Sequence, residues 1–160
     1  MREWRRISQK EATSYDFDWA FFHSSPETLD GLARITNERG MGAGRGISTV
    51  LLRTLLKNET FKELFLQRYA YHLQNTFATD RVLAKIDELS KNIEDEVARD
   101  RERWDTGTMD GWRKQLNRMT SFVKVSNDYM IYFARKYFNL SEAETIERFG
   151  SVGVDPNASN

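Results

Sequence analysis

At 160 residues the chain has the length of one ordinary domain and can bury a core without staples. Its 39% hydrophobic and 30% charged residues give a globular composition, and 24 Lys plus Arg against 24 Asp plus Glu leave no net field to draw it to nucleic acid, a membrane surface or an acidic polymer. Cysteine is absent, which excludes disulfides, thiol nucleophiles and thiolate metal sites, so any metal must be held by oxygen or imidazole.

In chain order, the basic start "MREWRRISQK" is not followed by the apolar core of a signal peptide. No apolar run approaches the roughly 18 residues of a membrane span. "YDFDWAFF", from Tyr15 to Phe22, alternates as a strand does, with Tyr15, Phe17 and Trp19 on one face and Asp16 and Asp18 on the other. Side chains at i and i+2 share a face about 7 Å apart at the Cα level, near enough for two carboxylates to converge on one cation. Mg²⁺ suits such a pair, since it takes one or two carboxylates, several waters and substrate phosphates. A solvated strand face is the plainer alternative. Ser25, Pro26 and Glu27 then signal a helix start, with Gly31 limiting the length of that helix.

The glycine cluster "RGMGAGRG", Arg39 to Gly46, divides the chain. It is not a phosphate loop, because no Gly-Lys-Ser/Thr follows, and it is not a GxGxxG turn, because the sixth residue from Gly40 is Arg45 and from Gly42 is Ile47. It reads as a connector, with an anion at the helix start near Ser48 as the alternative. A helical period follows and persists: Val50, Leu51 and Leu55; then Phe61, Leu64, Phe65, Tyr69 and Leu73; then Val82, Ile86, Leu89, Ile93 and Val97. The opposite face of the last of these is charged and reads as solvated. After "DTGTMDG" come Trp112, Leu116, Met119, Phe122 and Val123, then "NDYMIYFARKYFNL", apolar around most of its circumference. Ser141 to Glu144 fits a capping box, and the tail from Ser151 has no period and reads as loose. The predicted architecture is mainly α: a strand and glycine-rich connector over 1–46, a helical bundle of about five helices over 47–150, and a flexible tail over 151–160.

His23 and His72 have no acid or histidine at ligand spacing, and His72 reads as a packed or boundary residue. The tryptophans, at 4, 19, 104 and 112, are scattered and read as packing residues, not as a stacking platform for nucleic acid. A metal-dependent hydrolase built from Asp16, Asp18 and the acids at Glu94 to Glu96 has no histidine to support it.

Read as a block, three segments in order, "YDFDWAF", the run from Ser48 to Trp104 with "FKELFLQRYAYHLQNTF" at its centre, and "MDGWRKQLNRMTSFVKVSNDYMIYFARKYFNL", resemble the C-terminal part of the CotH (spore coat protein H) family of atypical protein kinases. The resemblance implies that the bundle corresponds to a kinase C-lobe and that the Asp-hydrophobic-Asp strand is the counterpart of the kinase segment whose Asp holds Mg²⁺ against ATP. That role falls on Asp16 as cofactor and metal ligand, with Asp18 as second ligand or orienting group and Phe17 as the packing residue between them. Implied cofactors are Mg²⁺ or Mn²⁺ with ATP, and implied partners are a protein substrate or the remainder of the parent kinase. The implied location is the spore coat or the bacterial cell surface. In the family the nucleotide cradle and catalytic base lie before the Asp-x-Asp strand, and fifteen residues precede Asp16 here, so the isolated chain is expected to be inactive. The alternative is a non-catalytic helical interaction or scaffolding module, for which the stretch "DYMIYFARKYF" is the expected apolar docking face.

Overall fold

The computed structural model describes residue 28 and residues 30–40, 46–105 and 107–156. The predicted strand at 15–22 and the helix start at Ser25 to Glu27 lie outside the described residues. Among the described residues there are six α-helices and no strand or sheet: α1 Gly31–Ile35, α2 Val50–Leu55, α3 Glu59–Tyr71, α4 Thr79–Trp104, α5 Met109–Phe138 and α6 Glu142–Phe149. None of them is long and apolar enough to cross a membrane.

Local chemistry sets most of the boundaries. Asp30 caps α1 by accepting the Ala33 N–H at 2.9 Å, and Gly31 stands at the first helical position, where its lack of a side chain costs little. Asn58 accepts the Phe61 N–H at 3.0 Å and Thr108 the Gly111 N–H at 3.1 Å, starting α3 and α5. The capping box is formed in full. Ser141 Oγ accepts the Glu144 N–H at 3.2 Å while the Glu144 carboxylate accepts the Ser141 N–H at 2.8 Å. Asp105 (φ 50°), Asn139 (φ 52°) and Gly150 (φ 78°) end α4, α5 and α6 in left-handed conformations, the usual way for a chain to leave a helix. Residues 109–138 form one continuous helix.

The core joins α1, α3, the second half of α5 and α6 through Leu32, Leu66, Ala70, Leu73, Ile131, Ala134 and Phe149. Ala70 and the fully buried Ala134 bring little side-chain bulk to the α3–α5 seam, and aromatic rings close its sides. Phe65 packs on Tyr69 (5.9 Å between centroids) and on Phe138 (5.8 Å), and Tyr69 meets Phe149 edge-on at 6.2 Å. The buried face of α3 is therefore rotated from the sequence stripe: Leu66 and Ala70 point inward, whereas Leu64 is half exposed. Leu32 brings the segment before the glycines into the same core.

Beyond Tyr71 the helix widens into a π-helical turn, His72–Thr76, closed by Phe77 N–H to the His72 carbonyl at 2.7 Å. Asn127 on α5 donates to the carbonyls of Leu73 (3.3 Å) and Phe77 (2.9 Å), supplying partners that the widened turn needs. At the C-terminus, residues 151–154 run back onto α5, although their sequence has no period. Val154 N–H donates to the Asp128 carbonyl at 3.2 Å, and Gly153 (φ 72°) sits so close that a Cβ there would lie 2.4 Å from the Tyr132 nitrogen.

Like α2, α4 stands outside the core. It pairs with α5 across a short turn, yet none of its residues is buried, and Leu89 and Ile93 of its apolar stripe are about half exposed. Trp104, read from sequence as a packing residue, is 63% exposed, with the Arg103 guanidinium 4.9 Å from its ring centroid.

Candidate functional site

Asp16, Phe17 and Asp18 lie outside the described residues, as do positions 41–45 of the glycine cluster. The structure does describe the residues that flank positions 41–45. Gly40 adopts φ 84°, a left-handed conformation natural to glycine, and the described chain resumes at Gly46. The base of the glycine run is pinned: Thr49 Oγ1 donates to the Asn37 carbonyl at 2.5 Å, and Arg53 reaches both Thr49 Oγ1 (3.3 Å) and the Glu38 carboxylate (3.4 Å). These bonds tie the end of α1 to the start of α2. They also commit the Thr49 hydroxyl, and α2 has only six residues, so the start of α2 offers no support for the anion reading at Ser48.

Behind α1 lies an apolar cavity of about 380 Å³ walled by Leu32, Ile35, Phe65, Tyr69, Met130 and Phe133. Tyr69 is its main polar group, and its hydroxyl stands 3.5 Å from the Met130 carbonyl. Burial pushes the Tyr69 phenol far above its ordinary value, with the Asp30 charge adding to the effect, so it stays protonated at every physiological pH. Such a cavity can hold apolar groups but supplies no acid or base.

The other sequence candidates stay apart. His72 is exposed, with the Tyr71 and Phe77 rings beside it at 5.4 and 6.3 Å between centroids, and its Nδ1 shares a 2.9 Å hydrogen bond with Thr76 Oγ1 inside the π turn. Glu94 pairs with Arg113 at 3.3 Å and Glu96 with Arg99 at 2.7 Å, both in solvent. No group of three or more His, Asp or Glu residues capable of holding a metal occurs among the described residues. The docking face expected on "DYMIYFARKYF" is instead part of the core, since Ile131, Phe133 and Ala134 are buried. Exposed apolar side chains lie instead on α2, with Val50 at 57% and Leu51 at 71%, and on α4, with Leu89 at 54% and Ile93 at 50%.

One ion pair was invisible to sequence periodicity. Arg148 on α6 contacts Glu63 on α3 at 2.6 Å, across a separation of 85 residues. The hydrogen bond from Arg148 holds the Glu63 carboxyl below the usual carboxylate range, more than offsetting the opposing effect of its slight desolvation.

A family model described as CotH kinase protein matches residues 9–130. The chain belongs to the CotH kinase family. The CotH match takes in Asp16 and Asp18, the glycine cluster, α1 to α4 and α5 as far as Met130. α6, which closes the core through Phe149, lies beyond it. No curated protein and no solved structure matches the chain.

Proposed function

We propose that this chain is the helical C-terminal part of a CotH-type protein kinase, in which Asp16 holds Mg²⁺, or Mn²⁺ in its place, against the phosphates of ATP. Asp18 serves as second ligand or orienting group. The observation that carries this reading is the family match across residues 9–130, which spans the Asp-Phe-Asp segment together with the helices behind it. Donor chemistry agrees with it: carboxylates are hard oxygen ligands, and Mg²⁺ completes its shell with water and phosphate oxygens. When bound, the metal would neutralise charge on the transferring phosphoryl group. The part of this chain's own residues in this reading is to present the two carboxylates to the metal. Transfer to a protein Ser or Thr also requires a Lys or Arg on the phosphates and an Asp that receives the hydroxyl proton, and these are assigned to the parent kinase.

Calorimetric titration of the chain with ATP in the presence of Mg²⁺ or Mn²⁺, repeated on Asp16→Asn, tests the proposal. The expected result is metal-dependent binding that the variant loses. Binding of equal strength in both proteins would count against Asp16, and absence of binding would favour a second reading, a non-catalytic helical interaction module. One observation supports that second reading: the α4 stripe around Leu89 and Ile93 is left uncovered.

A further inference from the structure

An open groove of about 590 Å³ runs between α4 and α5, lined by Ile86, Leu89 and Ile93 of α4 and by Trp112, Leu116 and Met119 of α5. Leu89 is 54% exposed and Ile93 50%, so packing against α5 leaves about half of each side chain to solvent. Apolar side chains at these spacings on one helix face are normally covered.

The charge on this groove is of one sign. Among the described residues, the charged groups that line it are Arg81 and Lys85, one turn apart on α4 and both exposed. Lys85 pairs with Glu88 at 2.5 Å, a solvent-exposed pair within one helix that resists a competing carboxylate only weakly. The Arg81 guanidinium makes no ion pair among the described residues. Arg81 also stands in the first turn of α4, at the positive end of the helix dipole, where Ala78 gives no side-chain cap and where a cation does not favour the helix itself. Asp80 offsets part of this field by accepting the Arg81 N–H at 2.8 Å. A carboxylate brought to this end of the groove would meet the guanidinium, the Lys85 ammonium and the positive helix end together.

We propose that the α4–α5 groove is the docking site of an amphipathic helix from a partner protein, apolar along one face and carrying carboxylates at the end that meets Arg81 and Lys85. The stretch of α4 from Arg81 to Ile93 rises about 18 Å, the length of roughly three helical turns. Apolar residues of the incoming helix at i, i+4 and i+7 would lie between the Ile86, Leu89 and Ile93 row and the α5 wall, as in other helix-in-groove contacts. An anionic membrane is the poorer fit, because α4 carries eight acidic and six basic residues and would be repelled as a whole. Asp16 and Asp18 take no part in this contact, which holds with either reading of the function.

Fluorescence anisotropy on the full chain tests the proposal with two labelled synthetic probes. One is an amphipathic helical peptide of about 14 residues, with leucines at every third or fourth position and two glutamates at one end; the other has two lysines in place of the glutamates. Wild type is expected to bind the acidic probe at about 10–100 μM and the basic probe at least about tenfold more weakly. The double variant Arg81→Glu with Lys85→Glu is expected to reverse that order, which non-specific adhesion of leucines would not do, and Leu89→Asp is expected to lose both probes. All three positions are exposed, so unchanged circular dichroism is expected to show that the variants fold. No binding of either probe to wild type at about 1 mM, or a preference that does not follow the charge reversal, would overturn the proposal. Two other occupants have their own signatures: a wild-type dimer in sedimentation velocity that Leu89→Asp abolishes would assign the groove to a second copy, and binding to phosphatidylserine–phosphatidylcholine vesicles that the double variant loses would assign it to a membrane. Either result would also overturn the proposal.

Discussion

Leu66, Gly153 and Tyr69 show how single side chains divide the work of holding this fold. Leu66 is 1% exposed at the seam of α3 and α5, and Leu66→Ala is expected to cost about 2–5 kcal/mol in denaturant unfolding, since the seam cannot collapse around the missing atoms. Gly153 combines a positive φ with backbone 2.4 Å from where a Cβ would stand. Gly153→Ala must push the tail off α5, and a loss of about 1–3 kcal/mol in the same measurement is expected. Tyr69 separates polarity from packing: its hydroxyl lies at the limit of hydrogen bonding to Met130, so Tyr69→Phe is expected to change stability by less than about 1 kcal/mol while keeping the ring contacts with Phe65 and Phe149. A larger loss would mean that the hydroxyl is held better than its geometry indicates. The sequence made Tyr69 legible as a member of an apolar stripe, whereas Leu66, the more deeply buried residue, lies off that stripe. The small Ala70 and Ala134 share that core, and periodicity weights such residues lightly.

Between elements, the decisive contacts are few and specific. Glu63 and Arg148 join α3 to α6, and the Glu63 carboxyl is held below its ordinary value of 4.5 chiefly by the Arg148 hydrogen bond. A depressed carboxylate contributes stability that is fully present above the unfolded value and is lost as pH falls through the folded one. Wild type is therefore expected to unfold at higher temperature than Glu63→Gln near neutral pH, with the gap closing as pH drops below 4.5. Thermal scans across that range check it; a gap independent of pH would show that the pair does not couple charge to folding. Asn127 similarly ties α5 to the π turn through two carbonyls, and Asn127→Ala should loosen residues 72–77 before the core. The caps were readable from the sequence because they are local: Ser141 with Glu144 lies within one turn. The Glu63–Arg148 and Asn127 contacts span 85 and at least 50 residues and leave no local pattern to read. α4 is the intermediate case, since its stripe was evident but its half-exposure beside α5 was not.

For the whole molecule, the mainly helical class and the family were legible, because they rest on period and an ordered block of motifs. The extent of the core was not: Leu32, before the glycines, and Gly153, past the last helix, both dock on it, so segments that composition sets apart are joined by packing. In the proposed function, nucleotide and metal bind through Asp16 and Asp18. The most direct test is hydrogen exchange followed by segment, with and without ATP and Mg²⁺, on wild type and Asp16→Asn. Slowed exchange on adding ATP and Mg²⁺ is expected to be confined to the segment around residues 15–22 and its attachment at α1, to vanish in Asp16→Asn, and to leave α3, α5 and α6 unaltered. Slowing centred on the α4–α5 groove, or surviving in Asp16→Asn, would contradict the proposed function.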